Sequence, residues 1–290
     1  MKILKISLFL AFATTAFFSC KKDDVALPPI GGFNNANEVG SADLVAHFPL
    51  DGNGNERISN SAPASTVGTT FTTGAKGQCA QLTAGYLAYN PIAALTASTS
   101  SYSIIAWINL ANNGTSATMI ATLTRPNEWA GNFNLMSETG HFKGTSDTIK
   151  IKGLLVSKEG TPEADSWQDN INDPSKGGVQ AFTGAGKWSH AVITWNAATS
   201  KFLVYANGVV ISNPEWEDRK HNGVAVGDLK FNSGVSRVVL GAFGTNVPGN
   251  GTAETWQVPM TGKLDEVRMW KKALSAQEID ALYQLEKAGR

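Results

Sequence analysis

Between residues 43 and 270 the chain is dominated by short apolar runs and period-2 alternation. Ser103 to Ile108, Trp188 to Trp195 and Lys201 to Val210 are rich in β-branched and aromatic residues and are separated by Gly, Asn, Asp and Pro clusters, the pattern of β-strands. Asn207-Gly208 interrupts the last of these runs. That pair accepts the positive φ angles of a type I′ turn, so the residues on either side are expected to pair antiparallel. Near the C-terminus Leu264, Val267 and Met269 are apolar whereas Glu266 and Arg268 are polar, which predicts a half-buried closing strand ending at Trp270. Ser275 followed by Glu278 forms a capping box with Leu274 and Ile279 at the staple positions, so a short helix follows the strand.

Several of these blocks, in this order, resemble one family. Leu44-Val45-Ala46-His47-Phe48-Pro49-Leu50-Asp51-Gly52-Asn53-Gly54-Asn55 is similar to its opening strand and turn, and Gly74 to Leu82 to the strand after it. Ser103 to Ile108 matches a third strand. Trp188-Ser189-His190-Ala191-Val192-Ile193-Thr194-Trp195 resembles the pentraxin signature H-x-C-x-T-W, with Val192 in the cysteine's place. The chain thus resembles the laminin G-like, concanavalin A-like domains that overlap the pentraxins. The resemblance implies an all-β fold, a two-sheet antiparallel jelly-roll sandwich with a short C-terminal helix. It implies little about function, because such folds host many activities.

The 290 residues carry 24 basic and 24 acidic side chains, so charge offers no reason to expect a nucleic-acid partner. The length suits one large β domain. Residues 1–19 read as a signal peptide, with Lys2 and Lys5 before an apolar stretch from Ile6 to Phe18 that is too short to span a bilayer. Cys20 after Ser19 resembles the lipidated cysteine of a bacterial lipoprotein; an ordinary secretory signal cut nearby is the alternative. Lys21-Lys22-Asp23-Asp24 resembles the export signal of Bacteroidetes lipoproteins displayed on the outer membrane surface, against the plainer reading of a solvated linker start. Residues 20–40 are then expected to be the lipidated Cys20 and a flexible tether, and 41–290 the domain. Cys79 is left without a disulfide partner and reads as a buried, inert thiol.

Eight tryptophans fall into two groups. Trp107, Trp188, Trp195 and Trp270 lie in strand motifs and read as packing residues. Trp129, Trp167, Trp216 and Trp256 lie in polar segments that read as loops, beside Glu128, Asp165 and Gln168 among others. An aromatic ring flanked by carboxylates and amides suits an extracellular glycan, since the C–H face of a sugar stacks on the ring while its hydroxyls bond to the neighbours. Trp129, Trp167 and Trp216 are the expected platforms, and Trp256 ranks lower because it immediately precedes the closing strand. Each ring could equally anchor its own loop.

Asp51, Asn53 and Asn55 have the D-x-N-x-N spacing of the first half of a calcium loop, but Glu56 and Ala62 stand where an EF-hand needs Gly and Glu. The resemblance implies a structural calcium completed by Asp265 of the closing strand. The competing reading is a set of tight Asx turns. Catalytic patterns are absent: there is no E-x-D-x-x-E strand, no G-x-S-x-G and no H-E-x-x-H, and Glu163-Ala164-Asp165-Ser166-Trp167-Gln168 ends in Gln where a third carboxylate is needed. The sequence therefore points to a surface-anchored carbohydrate-binding lipoprotein of a bacterial glycan-uptake system. A glycosidase or lyase with noncanonical carboxylates, such as Glu128 with Asp165, and an adhesion module gripping a protein partner are the alternatives.

Overall fold

The computed structural model describes residues 27–97, 100–173, 181–231 and 237–290. The expected signal peptide and the lipidation site at Cys20 lie outside the described residues. Among those described, no helix is long and apolar enough to cross a membrane.

Among the described residues, fifteen strands and one α-helix follow one another. They are β1 (Leu44–Phe48), β2 (Ser65–Thr73), β3 (Gln78–Tyr89), β4 (Tyr102–Asn109), β5 (Thr118–Leu123), β6 (Phe133–Ser137), β7 (Ile151–Glu159), β8 (Ala164–Ile171), β9 (Trp188–Asn196) and β10 (Lys201–Ala206). After these come β11 (Val209–Val210), β12 (Lys220–His221), β13 (Val224–Ala225), β14 (Val238–Leu240), β15 (Met260–Trp270) and α1 (Ala276–Lys287). Thirteen strands join in one antiparallel ladder of order β11-β10-β9-β4-β15-β3-β14-β5-β6-β7-β8, with β1 on β15 and β2 on β3. The two sheets of the expected sandwich are two halves of this ladder, which curls so that β7 and β8 pack against β10. At Gly153 of β7 a Cβ would come 2.5 Å from the Phe202 ring of β10 and 2.9 Å from Ile193 of β9, so glycine lets the halves close. Phe48, Ile104, Leu135, Ile193, Trp195, Phe202, Val238 and Leu264 belong to the core between them. The Asn207-Gly208 turn joins β10 to β11 as expected, with φ of 49° and 84° and Ala206 opposite Val209.

The closing strand departs from its expected half-burial. Glu266 and Arg268 are almost completely buried, because the outer face of β15 is covered by α1 and by residues 30–40. The spacing of Leu264, Val267 and Met269 breaks strict alternation by one residue. A bulge between Asp265 and Arg268, with Glu266 at φ 45°, absorbs the extra residue. The helix starts where expected, with the Ser275 hydroxyl accepting from the Glu278 N–H.

Residues 30–40, expected to belong to a flexible tether, are docked on the domain. Ile30 bridges to Phe33, Ala36 and Val39 are buried among Trp270, Leu274, Ile279 and Leu282, and the Trp270 indole N–H donates to the Val39 carbonyl at 3.2 Å. At the other terminus Arg290 donates to the carbonyls of Asn34 and Pro28. Without apolar periodicity these residues read as a spacer, but a few apolar side chains suffice to dock them on α1.

Candidate functional site

β8 was expected to be a loop, since Pro162 and a run of polar residues hide any apolar alternation. The structure makes it an edge strand paired along its length with β7. Its polar residues serve two faces. Ser166, Gln168 and Asn170 turn inward and are buried, while Asp165, Trp167 and Asp169 turn outward. Asn170 is satisfied there by the carbonyls of Phe202 and Asn213 and by the Asn213 N–H. Gln168 donates to the Ser166 hydroxyl and accepts from the Arg219 Nε at 2.8 Å. Gln168 therefore lies behind the strand, away from the face that carries Trp167, and is removed from the candidate ligand-binding set.

On the outer face three of the four non-strand-motif tryptophans converge. Trp129 lies 5.6 Å from Trp167 and 5.3 Å from Trp256 between ring centroids, and Phe243 packs 5.3 Å from Trp256 and 6.1 Å from Trp129. Beneath them are Met119, Met136, Leu154 and Val156, the outward residues of β5 to β7. Trp256 is fixed by its indole N–H donating to Glu254 at 2.7 Å. Trp167 leaves 43% of its surface exposed, a large value for tryptophan. Trp216 sits apart from these ring contacts, on the Pro214–Trp216 turn, where its carbonyl accepts from Arg219.

Arg125 organises the polar rim, and nothing in the sequence singled it out. Its guanidinium lies 5.2 Å from the Trp167 ring centre, its Nε donates to the Ala130 carbonyl, and it pairs with Asp165 at 2.7 Å and Glu128 at 3.7 Å. Glu128 and Asp165 are thus brought together, but across a guanidinium that both face. Trp256 enters the cluster against its lower ranking, and Phe243, which no sequence feature marked, packs against it. Trp256 shares the polar context of the other three, which was the signal available; its place just before β15 is what brings it to Trp129.

The expected calcium residues divide. Asp51 Oδ1 accepts from the Gln78 N–H at 2.7 Å, and Asp265 Oδ2 accepts from the N–H groups of Ala75 and Lys76 at 2.8 and 3.0 Å. The two carboxylates bracket the Gly74–Gln78 turn between β2 and β3. Asn53 instead turns back on its own loop, accepting from the Asn55 N–H at 2.9 Å, and Asn55 is exposed. Burial, with the neighbouring Glu266 charge acting in the same direction against bonds from Lys76 and Ala75, pushes the Asp265 carboxyl up to about 7. Among the described residues no cationic side chain pairs with Asp265, and no cluster of three His, Cys, Asp or Glu side chains is arranged to hold a metal.

A second concentration of charge lies under α1. Arg268 reaches Glu266 at 2.7 Å and Glu286 at 2.9 Å, the latter an ion pair without hydrogen-bond alignment. Glu266 also meets His47 at 2.8 Å, and Glu286 accepts from the Trp107 indole N–H at 2.8 Å. Burial opposes the charge on Glu266, but the His47 bond and Arg268 outweigh it and hold its carboxyl at about 2. His190 is fully buried beside Trp107, which with Arg268 pushes its imidazole down to about 3. Both histidines are buried beside this charge network, His47 against Glu266 and His190 against Glu286.

A family model described as the concanavalin A-like lectin/glucanases superfamily matches residues 82–280. Comparison with curated protein sequences finds no match. Among solved structures, domain 4 of an extracellular arabinanase from Geobacillus stearothermophilus, in complex with arabinotriose, is 16% identical with a TM-score of 0.50 and covers 83% of this chain and 98% of its own. The binding domain of paraclostridial mosquitocidal protein 1 is 14% identical with a TM-score of 0.55, and the ligand-binding domain of botulinum neurotoxin serotype D, in complex with N-acetylneuraminic acid, 13% identical with a TM-score of 0.51. These cover 83% and 86% of this chain, which spans 52% of each of them. At such identities the likeness is one of fold. The family match covers more than half of the sequence and agrees with the curled antiparallel sandwich, so the chain belongs to the concanavalin A-like lectin/glucanase superfamily.

Proposed function

We propose that the protein is a carbohydrate-binding module whose ligand lies on the outer face of β7 and β8. The observation that carries this reading is the convergence of Trp129, Trp167 and Trp256 from three separate segments onto one exposed patch with a charged rim. Loop anchors would each seat on the sandwich separately. Here Trp129 and Trp256 back a third ring that remains open, and Arg125 holds that ring in place. Binding suits the site better than hydrolysis, because Glu128 and Asp165 both face the Arg125 guanidinium. The arabinotriose bound to the arabinanase domain and the N-acetylneuraminic acid bound to the neurotoxin domain, both of like fold, support the same reading.

In the wider proposal the Cys20 thiol carries a lipid anchor and the domain stands on the outer membrane surface within a glycan-uptake system, where protein partners would meet it. Structural calcium belongs to this proposal too. Asp51 and Asp265 would hold the ion at the Gly74–Gln78 turn, with main-chain carbonyls and water completing its oxygen shell. The support is the buried Asp265 carboxylate, which lacks a cationic partner among the described residues.

The test is a glycan-array screen of the purified chain followed by titration of Trp129→Ala, Trp167→Ala and Trp216→Ala. The expected result is a defined hit whose Kd rises at least about tenfold, ~1.4 kcal/mol, in the first two variants and is unchanged in the third. Unchanged affinity in all three, with the fold intact by circular dichroism, would refute the site.

A further inference from the structure

The charges around the aromatic patch are paired and oriented, and their arrangement selects the ligand. Among the described residues, each cation that meets the outer face of β7 and β8 lies within 4 Å of a carboxylate. Arg125 meets Asp165 and Glu128, Lys158 meets Asp165, Lys152 meets Glu138 and Asp169, and Arg219 reaches Asp169 around the strand edge. In most pairs the acidic partner stands nearer to solvent. The Arg125 side chain is 3% exposed against 47% for Glu128 and 29% for Asp165, and Arg219 is 18% exposed against 37% for Asp169. The surface thus offers carboxylate oxygens outward and keeps its guanidinium groups beneath them.

Such a rim has a definite preference. Carboxylates accept hydrogen bonds and cannot donate them, so their best partners are hydroxyl groups, and charge-assisted bonds of this kind are among the stronger ones. An incoming uronate or sulfate would meet like charge first and would have to break an existing pair to reach a cation, leaving a carboxylate unpaired. Building on the carbohydrate-binding reading, we propose that the site takes a neutral, hydroxyl-rich oligosaccharide, with one sugar on Trp167 and its hydroxyls donating to Asp165 and Glu128, and that the rim excludes acidic glycans.

Native affinity electrophoresis of the full chain tests this. One set of gels carries neutral polysaccharides (arabinan, galactomannan, laminarin and xyloglucan) and the other acidic ones (polygalacturonate, alginate and hyaluronan). The expected result is retardation in at least one neutral gel, at least tenfold weaker in Trp167→Ala, and none in the acidic gels. Asp165→Asn releases Arg125 and Lys158 from a shared partner, and Asp169→Asn does the same for Arg219 and in part Lys152. Either variant is expected to gain salt-sensitive retardation in polygalacturonate, since freed cations are screened by salt. Retardation of the wild type in acidic gels, equal to or stronger than in neutral ones, would overturn the neutral assignment while leaving carbohydrate binding standing. Absence of retardation in every gel would overturn both.

Discussion

Arg268→Met should be among the most damaging single substitutions in the chain. The side chain is completely buried and ties four elements together: Glu266 on its own strand, Glu286 of α1, and the Ala36 carbonyl and Asn37 side chain of the N-terminal segment, with His47 of β1 joined through Glu266. Methionine keeps most of the stem volume and removes the charge. Glu266 is then left with His47 and a more distant Lys76 at 3.7 Å, and Glu286 with the Trp107 N–H and the His190 imidazole 3.7 Å away. Removing one partner of a buried ion pair costs about 3–5 kcal/mol. For a domain of this size each kcal/mol moves Tm by roughly 2–4 °C, so a fall of roughly 6–20 °C is expected. The loss should depend on pH. Burial, with the Glu266 charge adding to it and Arg268 opposing, already pushes the Glu286 carboxyl up to about 7. Without Arg268 it can take up a proton and shed its charge at pH 6 more readily than at pH 8. Thermal unfolding followed by circular dichroism at both pH values measures this. Arg268→Lys should fall between, keeping the charge without the guanidinium fork. A Tm within 2 °C of wild type at pH 8 would show that the pairs contribute nothing beyond their own desolvation.

Two further outcomes are expected. The His190 imidazole is held at about 3 against 6.5 in the unfolded chain, so the unfolded state binds more protons between these values. Its contribution is complete above pH 6.5 and is lost as pH falls, by about 1.4 kcal/mol per unit. His190→Gln removes this dependence and should gain roughly 2 kcal/mol on the wild type between pH 7 and pH 5 in urea titrations; parallel pH profiles would refute the assignment. If calcium occupies the Gly74–Gln78 turn, saturating ion at about 100 times Kd adds ~2.7 kcal/mol of stability. A chelator should then lower the Tm of the wild type and leave Asp265→Ala unmoved, whereas equal melts of the wild type with and without chelator would count against the ion.

Strands and turns whose instructions are local were legible in the residue order. The Asn207-Gly208 hairpin, the capping box at Ser275 and the apolar, β-branched runs of β4 and β9 each depend on neighbours within a few positions, and each formed as read. β8 was misread for a related reason: period-2 alternation shows only when one face is apolar, and both faces of this strand are polar. Glu266 and Arg268 were placed toward solvent because a polar residue on a strand ordinarily faces water. That rule failed where α1 and the segment around Val39 fold back over β15.

The candidate site separates the two kinds of information further. Residue type alone marked Trp129, Trp167, Asp165 and Glu128 as chemistry that suits a sugar. It could not separate them from Trp216 or Gln168, which have the same neighbours in the chain. The strand pleat sends Gln168 inward and Trp167 outward, and the curl of the ladder brings residues 125, 167 and 256 to one place. Local hydrogen bonding and periodicity are written in short stretches of sequence, so the fold class and its elements could be read there. Which rings meet, which carboxylates are neutralised and which charges lie beneath a helix depend on contacts between residues up to 232 positions apart, and these arise only when the sandwich closes.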